Sequence, residues 1–158
     1  MIPDAGINDD LVLTHRFGVF FLGAAAGLVP VNALDFRFAR VSGLTSTVET
    51  MEYEEGGQNA HKHVLPVRVT HPPLVLERGV VVGSPLDVEV TATLETFRFH
   101  PGNVLVSLFD EQKHPLVSWM FSQAYPVAWS TADLDASART VAVDHLELAY
   151  TRMSRIGL

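Results

Sequence analysis

The residues best placed for chemistry in this chain are two histidines, His61 and His63, spaced two positions apart. If this stretch is a strand, both rings lie on one face and could bind a divalent metal ion. Glu54 or Glu55, on the other side of a Gly-Gly pair, could supply a third ligand. The alternative is a polar hairpin tip with solvated histidines, which is favoured because neither cysteine nor a histidine pair at helical spacing is present. The sequence therefore predicts no metal and no other cofactor.

Patterns for catalysis are weaker still. No Gly-x-Ser-x-Gly is present, so the serines lack the context of an activated nucleophile. Asp110 and Glu111 could imitate a pair of catalytic carboxylates, but adjacent residues in a turn point apart. Gly56-Gly57 lacks the lysine and the following helix of a phosphate-binding loop. Trp119 could stack on a ligand, although its apolar strand favours a core position. We therefore expect a protein without catalytic residues.

Composition limits the partners. The chain of 158 residues has 18 Asp and Glu against 11 Lys and Arg, a formal net charge of -7. Phosphate binding needs clustered Lys and Arg, so direct nucleic-acid recognition is not predicted. The absence of cysteine excludes disulfides, thiol catalysis and thiolate metal sites. A hydrophobic content of 47% indicates a folded chain, and its length predicts a single domain over residues 1–158.

One uncharged stretch, residues 17–31, could pass for a targeting signal. The residues before it include Asp4, Asp9 and Asp10, whereas a secretory signal begins with a basic region. The stretch is also shorter than the ~20 apolar residues that a membrane-spanning helix needs. We therefore expect no signal peptide and no membrane anchor, with a buried first strand at the start of this stretch.

The element that organises the chain is a long hairpin at residues 44–70. Residues 44–53 and 64–70 alternate in polarity with many β-branched side chains, as strands do. Gly56-Gly57 supplies the positive φ that a tight reversal needs. A third apolar run, residues 74–76, follows a Pro-Pro break. Residues 1–12 have no clear period and are interpreted as an extended N-terminal arm.

The rest of the chain is mostly strand-like. The further predicted strands are residues 14–22, 36–41, 104–110, 116–124 and 140–150. Pro126 is predicted to end the fourth of these, with residues 127–129 in a turn-rich connection, and the fifth is predicted to be the last strand. Residues 86–94 alternate like a strand, but Ser84, Pro85 and Asp87 form a typical helix start, so we predict a helix over residues 84–97. Strands with short turns and one helix predict an antiparallel sandwich or small barrel.

Several short motifs follow one another in a fixed order. The first group surrounds the hairpin: Val41-Ser42-Gly43-Leu44, Tyr53-Glu54-Glu55-Gly56-Gly57-Gln58-Asn59, Lys62-x-x-Leu65-Pro66 and Leu74-Val75-Leu76-Glu77-Arg78-Gly79. The second group follows the helix: Val106-Ser107-Leu108-Phe109-Asp110, Trp119-x-Phe121-x-x-Ala124-x-Pro126-Val127-x-Trp129 and Glu147-Leu148. In their order and spacing, over about residues 14 to 150, the chain resembles the inner tail tube proteins of contractile phages and contractile injection systems.

This resemblance implies a β-sandwich or barrel-like subunit with one flanking helix. Six such subunits form a ring in which strands close into one continuous β-barrel around a lumen, and the rings stack into a tube. A contracting sheath drives the tube through a target membrane. The implied partners are other copies of the chain, the sheath protein, and the baseplate hub and spike. The implied place of synthesis is the bacterial cytoplasm.

The resemblance also assigns contacts within and between rings to the hairpin and its flanking segments. The residues to which this role is carried over are Ser42, Gly43, Leu44, Tyr53, Glu54, Glu55, Gly56, Gly57, Gln58, Asn59, Leu74, Glu77, Arg78 and Gly79. The helix departs from the family pattern, because Leu86 is followed by Asp87 where the family usually has Trp. This departure leaves open an alternative role as tube initiator, the specialised first ring that adapts the tube to the hub and spike.

Overall fold

The computed structural model describes residues 16–22, 38–54, 56–57, 62–80, 82–137 and 140–157. In chain order its elements are β1 (Phe17–Leu22), β2 (Arg40–Ser42), β3 (Thr47–Tyr53), β4 (His63–Thr70), β5 (Leu74–Gly79), α1 (Pro85–Thr96), β6 (Gly102–Phe109), β7 (Pro115–Thr131), β8 (Val143–Ala149) and β9 (Arg152–Gly157). The strand pairs among these elements are antiparallel. The mainly β, antiparallel fold expected from the sequence is confirmed, while the predicted N-terminal arm lies outside the described residues.

The long strand β7 organises the main sheet. Its first half, residues 115–124, pairs with β6 on one side and with β9 on the other, and its second half pairs with β8. Ser122 lies opposite Arg152 and Tyr125 lies opposite Ala149, so β9 and β8 follow one another along the same side of β7. The sheet therefore consists of a first half-sheet, β1–β6–β7–β9, and a second half-sheet, β7–β8–β5–β2.

The two half-sheets share one apolar core. Val19, Val106 and Phe121 come from the first half-sheet, Leu76 and Leu146 come from the second, and all five are at most 1% exposed. Helix α1 adds its own buried side chains to the same cluster. This arrangement agrees with the antiparallel sandwich or small barrel with one helix that the sequence predicted, and burial of the shared core supplies most of its stability.

The prediction that Pro126 ends a strand is wrong. Strand β7 continues through it to Thr131, so residues 127–129 belong to the strand. Proline lacks an amide donor, but the pairing with β8 shifts register between Pro126 and Ala128, and such an irregularity tolerates a missing donor. Gln123 has a φ of 53°, which also bends the strand close to this point. These two irregularities lie where β7 passes from one half-sheet to the other.

The prediction that residues 140–150 form the last strand is also wrong. The observed strand is the shorter β8, and β9 follows it after two residues. The sequence of β9, RMSRIG, has no clear polar alternation, so no local signal marks it as a strand. Its conformation depends on pairing with the first half of β7, from Ser122 opposite Arg152 to Val117 opposite Gly157.

Helix α1 begins at Pro85 and ends at Thr96, in agreement with the predicted residues 84–97. Ser84 precedes it, yet its Oγ makes no capping hydrogen bond to the helix amides and instead accepts one from Arg78 at 2.8 Å. No helix in the described part of the chain is long and apolar enough to cross a membrane.

Candidate assembly surface

Strands β3 and β4 form a two-stranded sheet, called the hairpin from here on, that pairs with no other strand in the described residues. Both of its outer edges are therefore open. A two-stranded hairpin is at best marginally stable in water, because it has no second layer on which to bury a face. The register, from Thr47 opposite Thr70 to Tyr53 opposite His63, keeps the strands together over their whole length. Among the described elements, the hairpin is consequently the one that most needs a partner.

Both faces of the hairpin carry exposed apolar side chains. Strand β3 alternates regularly, so Met51 and Tyr53 share one face while Val48 lies on the other. The apolar side chains on the two strands are between 49% and 59% exposed: Val48, Met51, Tyr53, Val64, Leu65, Val67 and Val69. Scattered exposed apolar residues are ordinary, but seven in one two-stranded sheet form the kind of patch that marks an interaction site.

Ion pairs cross between the strands of the hairpin. Glu49 lies opposite Arg68, and the Arg68 Nε donates to a Glu49 carboxylate oxygen. Nearer the tip, Lys62 Nζ lies 3.1 Å from a Glu52 oxygen and 3.9 Å from a Glu54 oxygen. Exposed pairs of this kind contribute at most about 1 kcal/mol each, so they fix the register without making the hairpin stable alone.

The hairpin joins the body through a neck, defined as residues 43–46 and 71–73. Ser42 lies opposite Val75 below the neck, and Thr47 lies opposite Thr70 above it. Five positions separate these pairs on each strand, from 42 to 47 and from 70 to 75, so the register is the same on both sides. The hairpin is thus an extension of the β2–β5 pair, and the ladder is interrupted in the neck, where two prolines lack amide donors.

Side chains of the neck contact the body. Ser46 Oγ lies 3.1 Å from His71 Nδ1, which links the two strands of the neck across the gap in the ladder. The His71 ring packs on Tyr150 with a centroid distance of 5.4 Å, and Tyr150 in turn meets Phe121 in the core edge to face at 4.8 Å. Leu44 packs against the core as well. The neck is therefore anchored, and the hairpin projects from a fixed base.

Gly43 allows the closest approach in the neck. Its φ is 91°, and a side-chain Cβ there would collide with the carbonyl oxygen of Pro73. The left-handed backbone alone costs a non-glycine residue about 1–2 kcal/mol. We expect Gly43→Ala to lower the free energy of unfolding by more than this cost. Gly57→Ala is the matched control, since its φ is 116° but nothing lies within 4 Å of the added Cβ. Equal losses for the two variants in urea denaturation would contradict the close approach.

The segment after the neck holds four of the predicted contact residues. Leu74 is fully buried and Arg78 is 2% exposed, so both side chains support the sheet from inside the subunit. Gly79 is half-buried at the end of β5. Glu77 lies on the outer face, where its Oε1 is 3.4 Å from His145 Nδ1 and 3.9 Å from Arg40. Of these four predicted contact residues, Glu77 alone presents a charged side chain on a surface.

The other predicted contact residues divide into two groups. Ser42, Gly43 and Leu44 lie at the base of the hairpin, whereas Tyr53, Glu54, Gly56 and Gly57 lie at its exposed distal end. Glu55, Gln58 and Asn59 lie outside the described residues. His61 also lies outside them, so the structure does not test the metal site considered at His61 and His63. Within the described ranges, no group of three or more His, Asp or Glu side chains is arranged to hold a metal ion.

A cavity that sequence reasoning missed lies between α1 and the main sheet. Its lining is mostly apolar and includes Leu86, Val90 and Val104, with Glu89 and His100 as the charged or titratable groups. Burial raises the pKa of Glu89 above its ordinary value, and the charge of His100 partly opposes this. The helical spacing of residues 86, 89, 90 and 93 could have indicated that Glu89 shares the buried side of α1.

The raised pKa of Glu89 predicts a pH-dependent stability. The folded state holds this proton more tightly than the unfolded state, so the wild type loses stability as pH rises from the unfolded-state pKa through the folded-state pKa. Glu89→Gln cannot ionise and should avoid that loss. Thermal melts should therefore show little difference between the two proteins near about pH 4 and a more stable variant at neutral pH. A difference in melting temperature between the two proteins that stays the same at every pH would contradict the raised pKa of Glu89.

A second surface lies at the C-terminal end of α1. It is called the aromatic groove from here on and is lined by Leu94, Phe97, Phe99, Pro101, Tyr125 and Val127. Phe97 meets Phe99 edge to face at 5.0 Å, and Phe99 meets Tyr125 at 5.6 Å. This groove was not predicted from the sequence, although a Phe-x-Phe directly after a helix was a visible signal.

Comparison with known proteins identifies the family. A family model described as T4-like virus tail tube protein gp19 matches residues 14–154. A chain in a six-fold symmetrised cryo-EM structure of the anti-feeding prophage (AFP) baseplate is 39% identical, with 92% of this chain and 95% of that chain covered and a TM-score of 0.82. A chain of the AFP tube-terminating cap is 25% identical, with 98% and 99% covered and a TM-score of 0.76.

A more distant likeness supports the fold. A chain of the sheath–tube complex of the extracellular contractile injection system PVC, in its extended state, is 20% identical, with 96% and 95% covered and a TM-score of 0.78. No curated protein sequence is similar enough to count as a match. Because the family model spans most of the sequence, this chain belongs to the T4-like virus tail tube protein gp19 family.

Proposed function

We propose that this chain is a structural subunit of a tail tube ring in a contractile phage tail or injection particle, without catalytic activity. The observation that carries the proposal is the hairpin, a two-stranded sheet with open edges and apolar side chains exposed on both faces. Such an element gains stability when another subunit covers it. The family membership supports a tube as the assembly in which this happens.

The subunits are proposed to form a homohexamer with one continuous β-barrel around a lumen. Among the described strands, β1 pairs only with β6, and β9 pairs on one side with β7, so each leaves one edge open. Both edge strands are six residues long, and joining them between neighbours would remove edges that otherwise invite aggregation. The six-fold symmetry of the AFP baseplate structure supports the subunit number.

The position in the tube is proposed to be the ring next to the baseplate. This chain is 39% identical to a chain of the AFP baseplate but 20% identical to a chain of the PVC sheath–tube complex. The contrast favours the initiator role over that of the repeating subunit. The proposed partners are further copies of the chain, the baseplate hub and spike, and the surrounding sheath, with synthesis in the bacterial cytoplasm and cargo conducted through the lumen.

Negative-stain electron microscopy over a concentration series tests the proposal. Six-fold rings are expected. Rings that stay single would support the initiator role, whereas rings that stack into hollow tubes would support the repeating subunit. A chain that remains monomeric at every concentration, both alone and mixed with the baseplate hub protein of its own particle, would contradict a role in a tube ring.

A further inference from the structure

We propose that the face of the first half-sheet opposite the core binds an extended acidic polypeptide that carries apolar side chains, as it passes through the lumen. The inference rests on the proposed ring, and it names the class of cargo that the wall of this ring binds. This surface is called the lumen face from here on. Two observations carry the inference, an apolar row across three strands and the absence of carboxylates from the strands that form the face.

Geometry determines which face of the first half-sheet meets the lumen. Four strands from each of six subunits would give a barrel with a backbone radius of roughly 20–25 Å, at a spacing of about 4.8 Å and a tilt of about 40°. A packed second layer about 10 Å further in would have only roughly half of that circumference. The second half-sheet also has four strands in each subunit, so it fits outside the barrel but not inside. The face opposite the core therefore lines the lumen.

Alternation along the strands identifies the side chains on the lumen face. Val106 and Phe121 belong to the core, so the positions next to them in β6 and β7 lie on the opposite face. Leu105 lies opposite Phe20 on one side and opposite Met120 on the other. These three side chains, called the apolar row from here on, cross β1, β6 and β7 side by side.

The apolar row is held close to the sheet. The Phe20 ring meets Phe109 edge to face at 6.3 Å, and a Cβ added at Gly18 would lie 3.1 Å from the Phe20 ring. The ring therefore lies over the glycine and not upright in solvent. Beside the row, Ser107 Oγ and Ser118 Oγ lie 2.8 Å apart and hydrogen-bond to each other, so these hydroxyls need no further partner. The wall thus offers an apolar surface to a molecule in the lumen.

Charge on the first half-sheet has the opposite sign to that of the whole chain. None of the 18 Asp and Glu residues lies in β1, β6, β7 or β9, although the net charge is -7. Arg152 is exposed on the lumen face opposite Ser122, and it forms no ion pair with another residue that the structure describes. Arg155, the other charged residue of these strands, lies opposite Trp119 on the core side.

These features fit an acidic polypeptide better than a nucleic acid. Phosphate binding needs clustered cations, whereas each subunit supplies one arginine to the wall. Apolar side chains of an extended polypeptide gain free energy by packing on the apolar row. Its carboxylates can accept hydrogen bonds from Arg152, and the wall has no acidic side chain to repel them. Both contacts occur six times around a ring, so weak contacts at each subunit add up.

A disordered peptide of about twenty residues, with the repeat Glu-Phe-Ser-Gly and a fluorescent label, tests the inference by anisotropy. Wild-type rings should bind it. Arg152→Glu should weaken binding about fivefold or more, because it replaces an attracting charge with a repelling one. Met120→Ser should weaken binding by a similar factor, because it removes an apolar side chain from the row. A peptide with serine in place of phenylalanine should also bind more weakly to the wild type.

Arg98→Glu and Val88→Ser are the matched controls, because both residues are exposed on or next to α1, which packs on the core side. They should leave peptide binding unchanged. Mass photometry shows whether each variant forms rings, and Arg152→Gln replaces Arg152→Glu where the reversed charge prevents assembly.

Three results would overturn the inference and leave the proposed function intact. The first is a wild-type ring that does not bind the peptide, and the second is equal binding by the wild type and both lumen-face variants. The third is tighter binding of an oligothymidylate of the same length than of the peptide. Absence of wild-type rings would overturn the proposed function together with the inference.

Discussion

Arg78→Met should lower the free energy of unfolding by about 3–5 kcal/mol, the usual cost of removing one partner of a buried charged pair. Arg78 is 2% exposed, and its guanidinium donates to Ser84 Oγ at 2.8 Å and to Asp87 Oδ1 at 2.6 Å. The guanidinium carbon also lies 5.7 Å from the Phe38 ring centre and 5.9 Å from that of Trp129. The variant would therefore leave the start of α1 without its link to β5.

Urea denaturation followed by circular dichroism measures this loss. Arg40→Met is the matched control, because Arg40 is largely exposed and pairs with Glu77 at 3.9 Å. The control should stay within about 0.5 kcal/mol of the wild type. Arg78→Lys keeps the charge but not the planar fork, so it should fall between the two. A loss below about 1 kcal/mol for Arg78→Met would show that α1 is held by its apolar contacts alone.

Removal of the hairpin should abolish ring assembly and leave the body folded. Residues 47–70 can be replaced by an Asn-Gly turn, because Ser46 and His71 already lie within hydrogen-bond distance across the neck. The deleted strands pair only with each other among the described residues, so the core loses no sheet neighbour. The variant should sediment as a monomer at concentrations where the wild type forms rings.

The thermal stability of the hairpin-deleted variant shows whether its body still folds. Its thermal midpoint should stay within a few degrees of the wild type, since a shift of that size corresponds to about 1 kcal/mol. Val141→Ser is the control for an exposed apolar site away from the hairpin, and it should assemble normally because this residue, 78% exposed, lies in the connection before β8. Rings without the hairpin, or a body that no longer folds, would contradict its role as a separate assembly element.

Local patterns were enough to predict the hairpin and the helix. Gly56-Gly57 between two alternating runs indicates a reversal whatever the rest of the chain does. Ser84, Pro85 and Asp87 mark a helix start, and this was decisive although residues 86–94 also alternate like a strand. Both elements are determined by residues that lie a few positions apart along the chain, so local sequence patterns are enough to predict them.

Features that depend on distant pairing could not be predicted. The passage of β7 through Pro126 depends on a register shift against β8, and the strand character of β9 depends on β7. The burial of Arg78 depends on Asp87 and on the rings of Phe38 and Trp129, which the fold brings together. For the same reason, nothing in the local sequence indicates that the side chain of Arg78 lies inside the subunit.

Hydrogen exchange of the free subunit and of assembled rings tests most directly whether this chain assembles through its hairpin. In the rings, peptides covering residues 47–54 and 62–70 should exchange at least tenfold more slowly, because a neighbouring subunit covers their open edges and faces. Peptides from the core strand β5 should exchange at the same rate in both states. Rings in which the hairpin exchanges as fast as in the free subunit would contradict the account.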